Sequence, residues 1–474
     1  MKASMKKVIA MGLCVILAVG TLSGCNGGSN SDSSGSATTA NGTSGGEKKT
    51  FDDLGGMEVF VSDWYTAAES APTTDYEKKT QQYRQQIQKD YNFTIKREAT
   101  MAWGDTLETY TTQVMANNPK YQLYYLYQEW ISEPVLKGLM KDLSKLPEFD
   151  FTEEKWNPTV TKRMSIGDGI WGMNIEAEPR GGIFFNKRLL KEAGIDPEEP
   201  YDLQQNNEWT WEKFEEYCKK LTRDTDGDGQ IDQYAMGSFN KYYLKMCAAS
   251  NNATYVDFQD GKYVNGIKTQ EFKDAMNWGV DIIKKGYVMP DPPGSTDWAW
   301  YKAAFRDGEV AMQTSEVYEI SAFSQMEDEW GFVMFPYNQS NPEATNKTVP
   351  DDNIVVMPSC FDDETAEKIA FAYDLYTEPT EGYTLEEAYK ERYYPDFKDE
   401  RAVDETLVFM SQEEHKMPAY HMMISGINDG DLAYGVYALS ATPAQQIEKL
   451  STAWDTKINE ANEAYAKFAE ERSN

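Results

Sequence analysis

Between residues 57 and 140 the apolar positions switch repeatedly between a two-residue and a helical period. Met57-Glu58-Val59-Phe60-Val61 alternates as a half-buried strand does, and it runs into the polar and aromatic stretch Asp63-Trp64-Tyr65. Residues 76–90 are rich in Gln, Lys and Glu, with Tyr83 and Ile87 four apart, which predicts a helix. Phe93-Thr94-Ile95 predicts a second strand, 106–115 a helix, 122–127 a buried strand and 133–140 a further helix. Strand, helix and strand in succession make an α/β sheet with mainly parallel pairing the economical arrangement.

The same alternation resumes downstream. An extended passage starting at Asp168-Gly169-Ile170-Trp171 reaches Gly181-Gly182-Ile183-Phe184-Phe185, after which 187–193 reads as a helix closed by Gly194. Thr210 stands where a hydroxyl caps a helix carrying Trp211, Phe214 and Tyr217. Residues 233–239 predict a strand and 244–250 a helix, leaving 240–243 as the loop between them. A further strand over 310–314 ends in Ser315-Glu316-Val317-Tyr318.

The first 50 residues follow other rules. Lys2, Lys6 and Lys7 precede the apolar run 8–20, which is too short for a comfortable bilayer span and reads as an export signal. Leu22-Ser23-Gly24-Cys25 resembles a bacterial lipobox, which implies cleavage before Cys25 and acylation of its thiol, so 1–25 form the signal and lipobox. Residues 26–50 are dominated by Gly, Ser, Thr and Asn and are expected to be a flexible tether. The expected localisation is therefore extracytoplasmic, on the outer face of the cell membrane.

Composition narrows the function classes. With 78 acidic against 46 basic residues the chain carries a formal charge of −32, so nucleic acid would be repelled and is not an expected partner. The body cysteines Cys218, Cys247 and Cys360 are scattered singly, and with two histidines a nitrogen and sulfur zinc site is poorly supplied. Free buried thiols are expected. At 474 residues the chain can build two lobes, each with its own core.

Several stretches carry a resemblance. The run Gly182-Ile183-Phe184-Phe185-Asn186-Lys187-Arg188-Leu189-Leu190-Lys191-Glu192-Ala193-Gly194 is followed by Trp209-Thr210-Trp211-Glu212-Lys213-Phe214 and Leu221-Thr222-Arg223-Asp224. Ala304-Phe305-Arg306-Asp307-Gly308-Glu309 and Gly331-Phe332-Val333-Met334-Phe335-Pro336 come later. Together they resemble family 1 extracellular solute-binding proteins over nearly all of 57–468, whereas 378–405, rich in Tyr, Glu and Pro, does not map onto the pattern. The resemblance implies a two-lobed periplasmic-binding-protein-like α/β fold, with residues 51–176 and 331–362 in lobe 1 and 177–330 and 363–474 in lobe 2. Hinge crossings are expected at 173–180, 331–336 and near 360–364. It further implies a monomer that binds a carbohydrate, an oligosaccharide in particular, between the lobes and delivers it to the permease subunits of an ABC importer.

A sugar offers hydroxyl edges and apolar C–H faces, so its binder needs aromatic platforms with polar partners beside them. Trp64 stands at the end of the first strand, and Trp130 with Glu129 follows the strand 122–127, where open α/β sheets bind ligands. The resemblance to maltose-binding-type proteins implies an aromatic contact in 240–243, hence Asn240, Tyr242 and Tyr243, and a stacking ring at Tyr318 with Glu316 as acceptor. Trp298 and Trp300 are two apart, so on a helix they cannot share a face. Arg180 either reaches the pocket or pairs with Glu178. The loop Asp224, Asp226, Asp228, Gln230 and Asp232 reproduces calcium-loop spacing, but the residue at its twelfth position is Ala235 rather than Glu. No cofactor is required, and a structural calcium is the one metal the spacing suggests. A secreted glycoside hydrolase or lyase is the rival class, although no catalytic residue can be named and no GxSxG, HExxH or Walker motif occurs.

Overall fold

The computed structural model describes residues 48–67, 71–175, 178–293, 297, 299–350 and 353–473. The export signal, Cys25, most of the tether and Trp298 lie outside the described residues.

Two four-stranded sheets organise the body. The first contains β1 (Met57–Asp63), β2 (Phe93–Ala99), β3 (Leu123–Tyr127) and β8 (Asn353–Val356), in the order β8-β3-β1-β2. The second contains β4 (Gly182–Asn186), β5 (Tyr234–Ser238), β6 (Val310–Ser315) and β7 (Trp330–Val333), in the order β7-β4-β6-β5. β4 and β6 are buried at every position, the signature of strands covered on both faces.

Pairing is mixed rather than mainly parallel. β1 runs parallel to β2 and β3, and β6 parallel to β5, but β8 is antiparallel to β3, and both β6 and β7 are antiparallel to β4. The cause is the chain path. β4 and β8 are the strands that follow passages from one sheet to the other, so they enter from the cleft side and run against the strands whose carboxyl ends face it. Local apolar periodicity carries no information about that direction.

Two boundaries also move. β7, expected in lobe 1, pairs with β4 in the second sheet, so the passage back to the first sheet lies between Val333 and Asn353. The helix Asp363–Tyr376, expected in lobe 2, packs Ala366, Ile369, Ala370 and Tyr373 onto Val59, Val61, Leu123, Tyr125 and Val355 of the first sheet. The third passage therefore comes after that helix, not near 360–364, and it uses the unmapped segment. Thr380 hydrogen-bonds Thr80 at 2.6 Å and Tyr383 packs on Tyr76 at 5.1 Å, both on the helix Asp75–Asp90 of the first lobe. Further on, Phe397 packs 5.6 Å from Trp330 of β7, and Asp399 accepts from the Tyr201 hydroxyl at 2.6 Å.

Helix termini follow local chemistry. Thr210 accepts from the Lys213 amide at 3.3 Å, and Gly194 has φ +70° as a helix-closing glycine requires. The helix expected over 133–140 is only Ser132–Leu136, because Gly138 turns the chain at φ +67°. The helix expected from residue 244 begins at Asn240, directly after the extended Phe239, so 240–243 form its first turn instead of a loop.

A helix of 31 residues, Pro443–Ser473, closes the fold. Its Asn462 holds Tyr263 by two hydrogen bonds of 2.8 and 2.9 Å, and Trp454 packs on Tyr255 at 6.2 Å, all on the second-lobe side. Its far end places Phe468 5.0 Å from Trp171 and the Arg472 guanidinium 5.3 Å from the same ring, next to first-lobe strand β8 through the Met173–Val355 bridge. Among the described residues no helix is long and apolar enough to cross a membrane. Cys218 and Cys247 are buried free thiols and Cys360 is a half-buried one; burial pushes the Cys218 thiol well above its ordinary value.

Ile369 is fully buried between its helix and the first sheet. Ile369→Ala is expected to cost about 2–5 kcal/mol, read as a lower urea midpoint.

Candidate functional site

β1 and β3 of the first sheet carry aromatic rings at or just past their carboxyl ends. Asp63 ends β1 fully buried, and its carboxylate accepts from the backbone amides of Tyr65 and Thr66 at 3.1 and 3.0 Å and from the Thr66 hydroxyl. Arg97 of β2 closes the arrangement, with Nε 2.6 Å from the same carboxylate and its guanidinium 4.0 Å from the Tyr125 ring centroid. This charge-assisted turn holds Trp64 and Tyr65 in place. Trp64 then meets Trp130 edge-on at 5.3 Å, Trp130 meets Trp103 at 5.0 Å, and Tyr127 lies 5.8 Å from Trp130. Glu129 is exposed beside them.

Tyr127 is the member of this cluster that lines a cavity of about 160 Å³. The remaining walls come from the second lobe: Phe239, Lys241, Tyr242 and Lys245 around the helix Asn240–Ala249, Tyr301, and the stretch Thr314 to Glu319 at the end of β6. Glu319 is buried and anchors this wall. It accepts from the Tyr301 hydroxyl at 3.0 Å, pairs with Lys302 at 2.8 Å and takes a hydrogen bond from Ser315. Burial, with the Glu319 carboxylate beside it, pushes the Tyr301 phenol far above its ordinary value, so it stays a neutral donor.

Arg180 lies in the passage between the sheets and makes the Glu178 pairing weighed for it; it does not line the cavity but touches two residues that do. It pairs with Glu178 at 2.7 Å, reaches within 3.9 Å of Glu316, and lies 5.3 Å from the centroid of Tyr318. Its carbonyl accepts from the Thr348 hydroxyl. The next residue, Gly181, has φ +63°, and a Cβ there would stand 1.9 Å from the Tyr242 hydroxyl oxygen and 2.7 Å from Met246 Sδ. Glycine is thus what lets the crossing strand pass over the cavity wall.

Of the residues singled out in the sequence, Tyr242, Glu316 and Tyr318 line this cavity; Arg180 packs on Glu316 and Tyr318, Trp130 packs on the cavity-wall ring of Tyr127, and Trp64 and Glu129 are neighbours of Trp130 outside the lining. Tyr243 is elsewhere: with the helix starting at Asn240 it points into the core, its hydroxyl donating to the Gly279 carbonyl at 3.1 Å. Asn240 is the first residue of that helix and its side chain lies outside the described set. Trp300 is half-buried at the start of the helix Trp300–Arg306; it does not line the cavity, but its ring packs edge-on 6.3 Å from Tyr301, which does. Tyr127, Tyr301, Lys241, Lys245 and Glu319 were not anticipated. Trp103, four residues past the end of β2, joins Tyr127 and Trp130 in the same ring cluster but does not line the cavity.

In the acidic loop, Asp224, Asp226 and Asp228 each bring a carboxylate oxygen within 4.8 Å of the others. Asp224 accepts from the amides of Gly227 and Gly229 at 2.6 and 2.8 Å. Asp232 is turned inward instead, held by the Thr225 amide at 2.8 Å and hydroxyl at 2.9 Å, which keeps its carboxyl below the usual range. The Gln230 side chain donates to Asp228 at 3.3 Å, and Ala235 is buried in β5. Three of the five suggested ligands converge, which fits an oxygen-seeking cation only with water completing its shell.

Residues 82–382 match the model of a family described as bacterial extracellular solute-binding protein. No curated protein sequence matches the chain. Among solved structures, an ABC substrate-binding protein from Listeria monocytogenes in complex with cycloalternan is similar at a TM-score of 0.55 and 16% identity, over 87% of this chain and 98% of that one. A cyclo/maltodextrin-binding protein complexed with maltotetraose gives 0.58 and 14%, over 90% and 98%. UgpB from Mycobacterium tuberculosis in complex with glycerophosphocholine gives 0.58 and 13%, over 81% and 95%. At these identities the likeness is one of fold.

Gly181→Ala combines positive φ with the contact on Tyr242, and a loss of about 1–3 kcal/mol is expected in urea unfolding. Adding Tyr242→Phe removes the clashing oxygen and should restore part of that loss.

Proposed function

We propose that this chain, which belongs to the bacterial extracellular solute-binding proteins, captures a carbohydrate reversibly in the cleft between its two sheets and hands it to the permease of an ABC importer. The observation that supports this reading most is the convergence of ring faces on one cavity. Tyr127 comes from the first lobe, with Trp130 packed 5.8 Å from it, and Tyr242, Tyr301 and Tyr318 come from the second. Hydroxyl and carboxylate groups at Ser315, Glu316 and Tyr301 stand among them. Such a mixture suits a neutral, hydroxyl-rich ligand with apolar ring faces.

The lobes share the work. A ligand touching Tyr127 and Tyr318 at once gains contacts that neither lobe supplies alone, and it favours the closed arrangement by that difference. No covalent step is needed, and a micromolar dissociation constant corresponds to about −8 kcal/mol. We further propose that Cys25 carries the lipid that retains the protein at the outer face of the membrane, on the support of the Leu22-Ser23-Gly24-Cys25 motif. The body acts as a monomer in this reading. Asp224, Asp226 and Asp228 would hold a structural calcium ion, with water as additional ligands.

A thermal-shift and calorimetric screen over mono- and oligosaccharides should yield at least one binder recovered chemically unchanged. Recovery of cleaved sugar, or binding of phosphodiester or peptide solutes alone, would overturn the reading. Tyr318→Ala is expected to weaken the binder about tenfold, roughly 1.4 kcal/mol. Calcium added to metal-free protein should raise its melting temperature, and Asp226→Ala should abolish that rise; an unchanged melting temperature removes the ion from the account.

A further inference from the structure

We infer that Trp103 is an outer stacking platform, so that the first lobe's rim selects ligands longer than the cavity itself can enclose. The inference rests on the carbohydrate reading and adds to it the place where chain length is sensed.

The cavity of about 160 Å³ is below the roughly 300–1,000 Å³ typical of small-molecule pockets. It takes one end of a ligand, and the rest must lie on whatever borders it. What borders it on the first lobe is aromatic. Tyr127 belongs to the cavity wall, and Trp103 lies 6.1 Å from Tyr127 and 5.0 Å from Trp130 without itself lining the cavity. Trp103 therefore packs directly on the cavity-wall ring of Tyr127 without entering the cavity, in a cluster of three mutually touching rings. It is also 52% exposed, whereas Trp64 and Trp130 are half-buried, so a free indole surface remains after those contacts are made.

The backbone beneath Trp103 is fixed. The turn Trp103–Asp105 is closed by the Asp105 amide and the Thr106 hydroxyl, which donate to the Ala102 carbonyl at 3.0 and 3.1 Å, and it leads directly into the helix Thr106–Met115. A ring on a stiff turn loses little freedom when it is covered, which favours stacking over collapse onto the surface. A single exposed tryptophan is ordinary. One packed directly against a ring of the cavity wall extends that wall's aromatic surface past the cavity, where a sugar face can stack.

The test is calorimetry of the full chain, unsubstituted and as Trp103→Ala and Trp103→Phe. The probes are glucose and its α-1,4-linked oligomers up to the hexasaccharide, with the β-1,4-linked glucose and mannose series in parallel. In the series that binds, affinity should rise with length. Trp103→Ala should leave the shortest binder within about twofold and weaken the longest about tenfold, while Trp103→Phe keeps most of the gain. Circular dichroism and melting temperature of both variants should match the parent, as the half-exposed position implies. Equal weakening at every length, or none at any length, overturns this inference alone. No heat from any series with the unsubstituted chain removes the carbohydrate reading and the inference together.

Discussion

A chain that builds two sheets and passes between them more than once must reverse strand direction each time it re-enters a sheet from the cleft side. The other features of the site follow from that constraint. β4 and β8 enter antiparallel, while the carboxyl ends of β1, β2 and β3 stay at the cleft edge of the first sheet. The crossing ahead of β4 must clear the second lobe's wall, and it does so at Gly181, where the backbone lies too close to Tyr242 for any side chain. Arg180, one residue earlier, is thereby held between Glu178, Glu316 and the Tyr318 ring.

Charge inside the cleft positions rings; it does not stabilise the fold outright. Withdrawing a carboxylate from water costs several kcal/mol unless donors replace the lost hydration. Asp63 and Glu319 are each buried and each meet that requirement several times over, the first through Arg97 and two backbone amides, the second through Lys302, Tyr301 and Ser315. Asp63 fixes the backbone of the turn that carries Trp64 and Tyr65, and Glu319 holds the Tyr301 hydroxyl. The result is a cleft whose surfaces are set before a ligand arrives, which lowers the ordering cost of binding.

Much of the first lobe was legible in the sequence because its elements alternate apolar and polar positions cleanly. Met57–Asp63, Asp75–Asp90 and Thr106–Met115 fall where periodicity indicates. What escaped depends on long-range pairing. Strand direction at β4 and β8 is decided by the path between lobes, and the residence of β7 in the second sheet is decided by its partner, β4. At the site, rings past the ends of β1 and β3 were recognisable by position, whereas Tyr127 reads as one more strand residue. The fate of Tyr243 turned on where one helix begins, and a shift of four residues carried it into the core. The 378–405 segment was opaque because its role is to bridge, and a bridge has no single face to bury.

The helix Pro443–Ser473 extends about 46 Å at 1.5 Å per residue, fastened near Tyr263 at one part of its length and at Trp171 by its far end. Its last turns thus touch both sides of the molecule within a short stretch, Asn462 at Tyr263 and Phe468 at Trp171. Cutting the chain just before Phe468 would remove the contact on Trp171 while leaving every cavity-lining residue intact, so a binding defect in such a variant would report on the joint and not on the pocket.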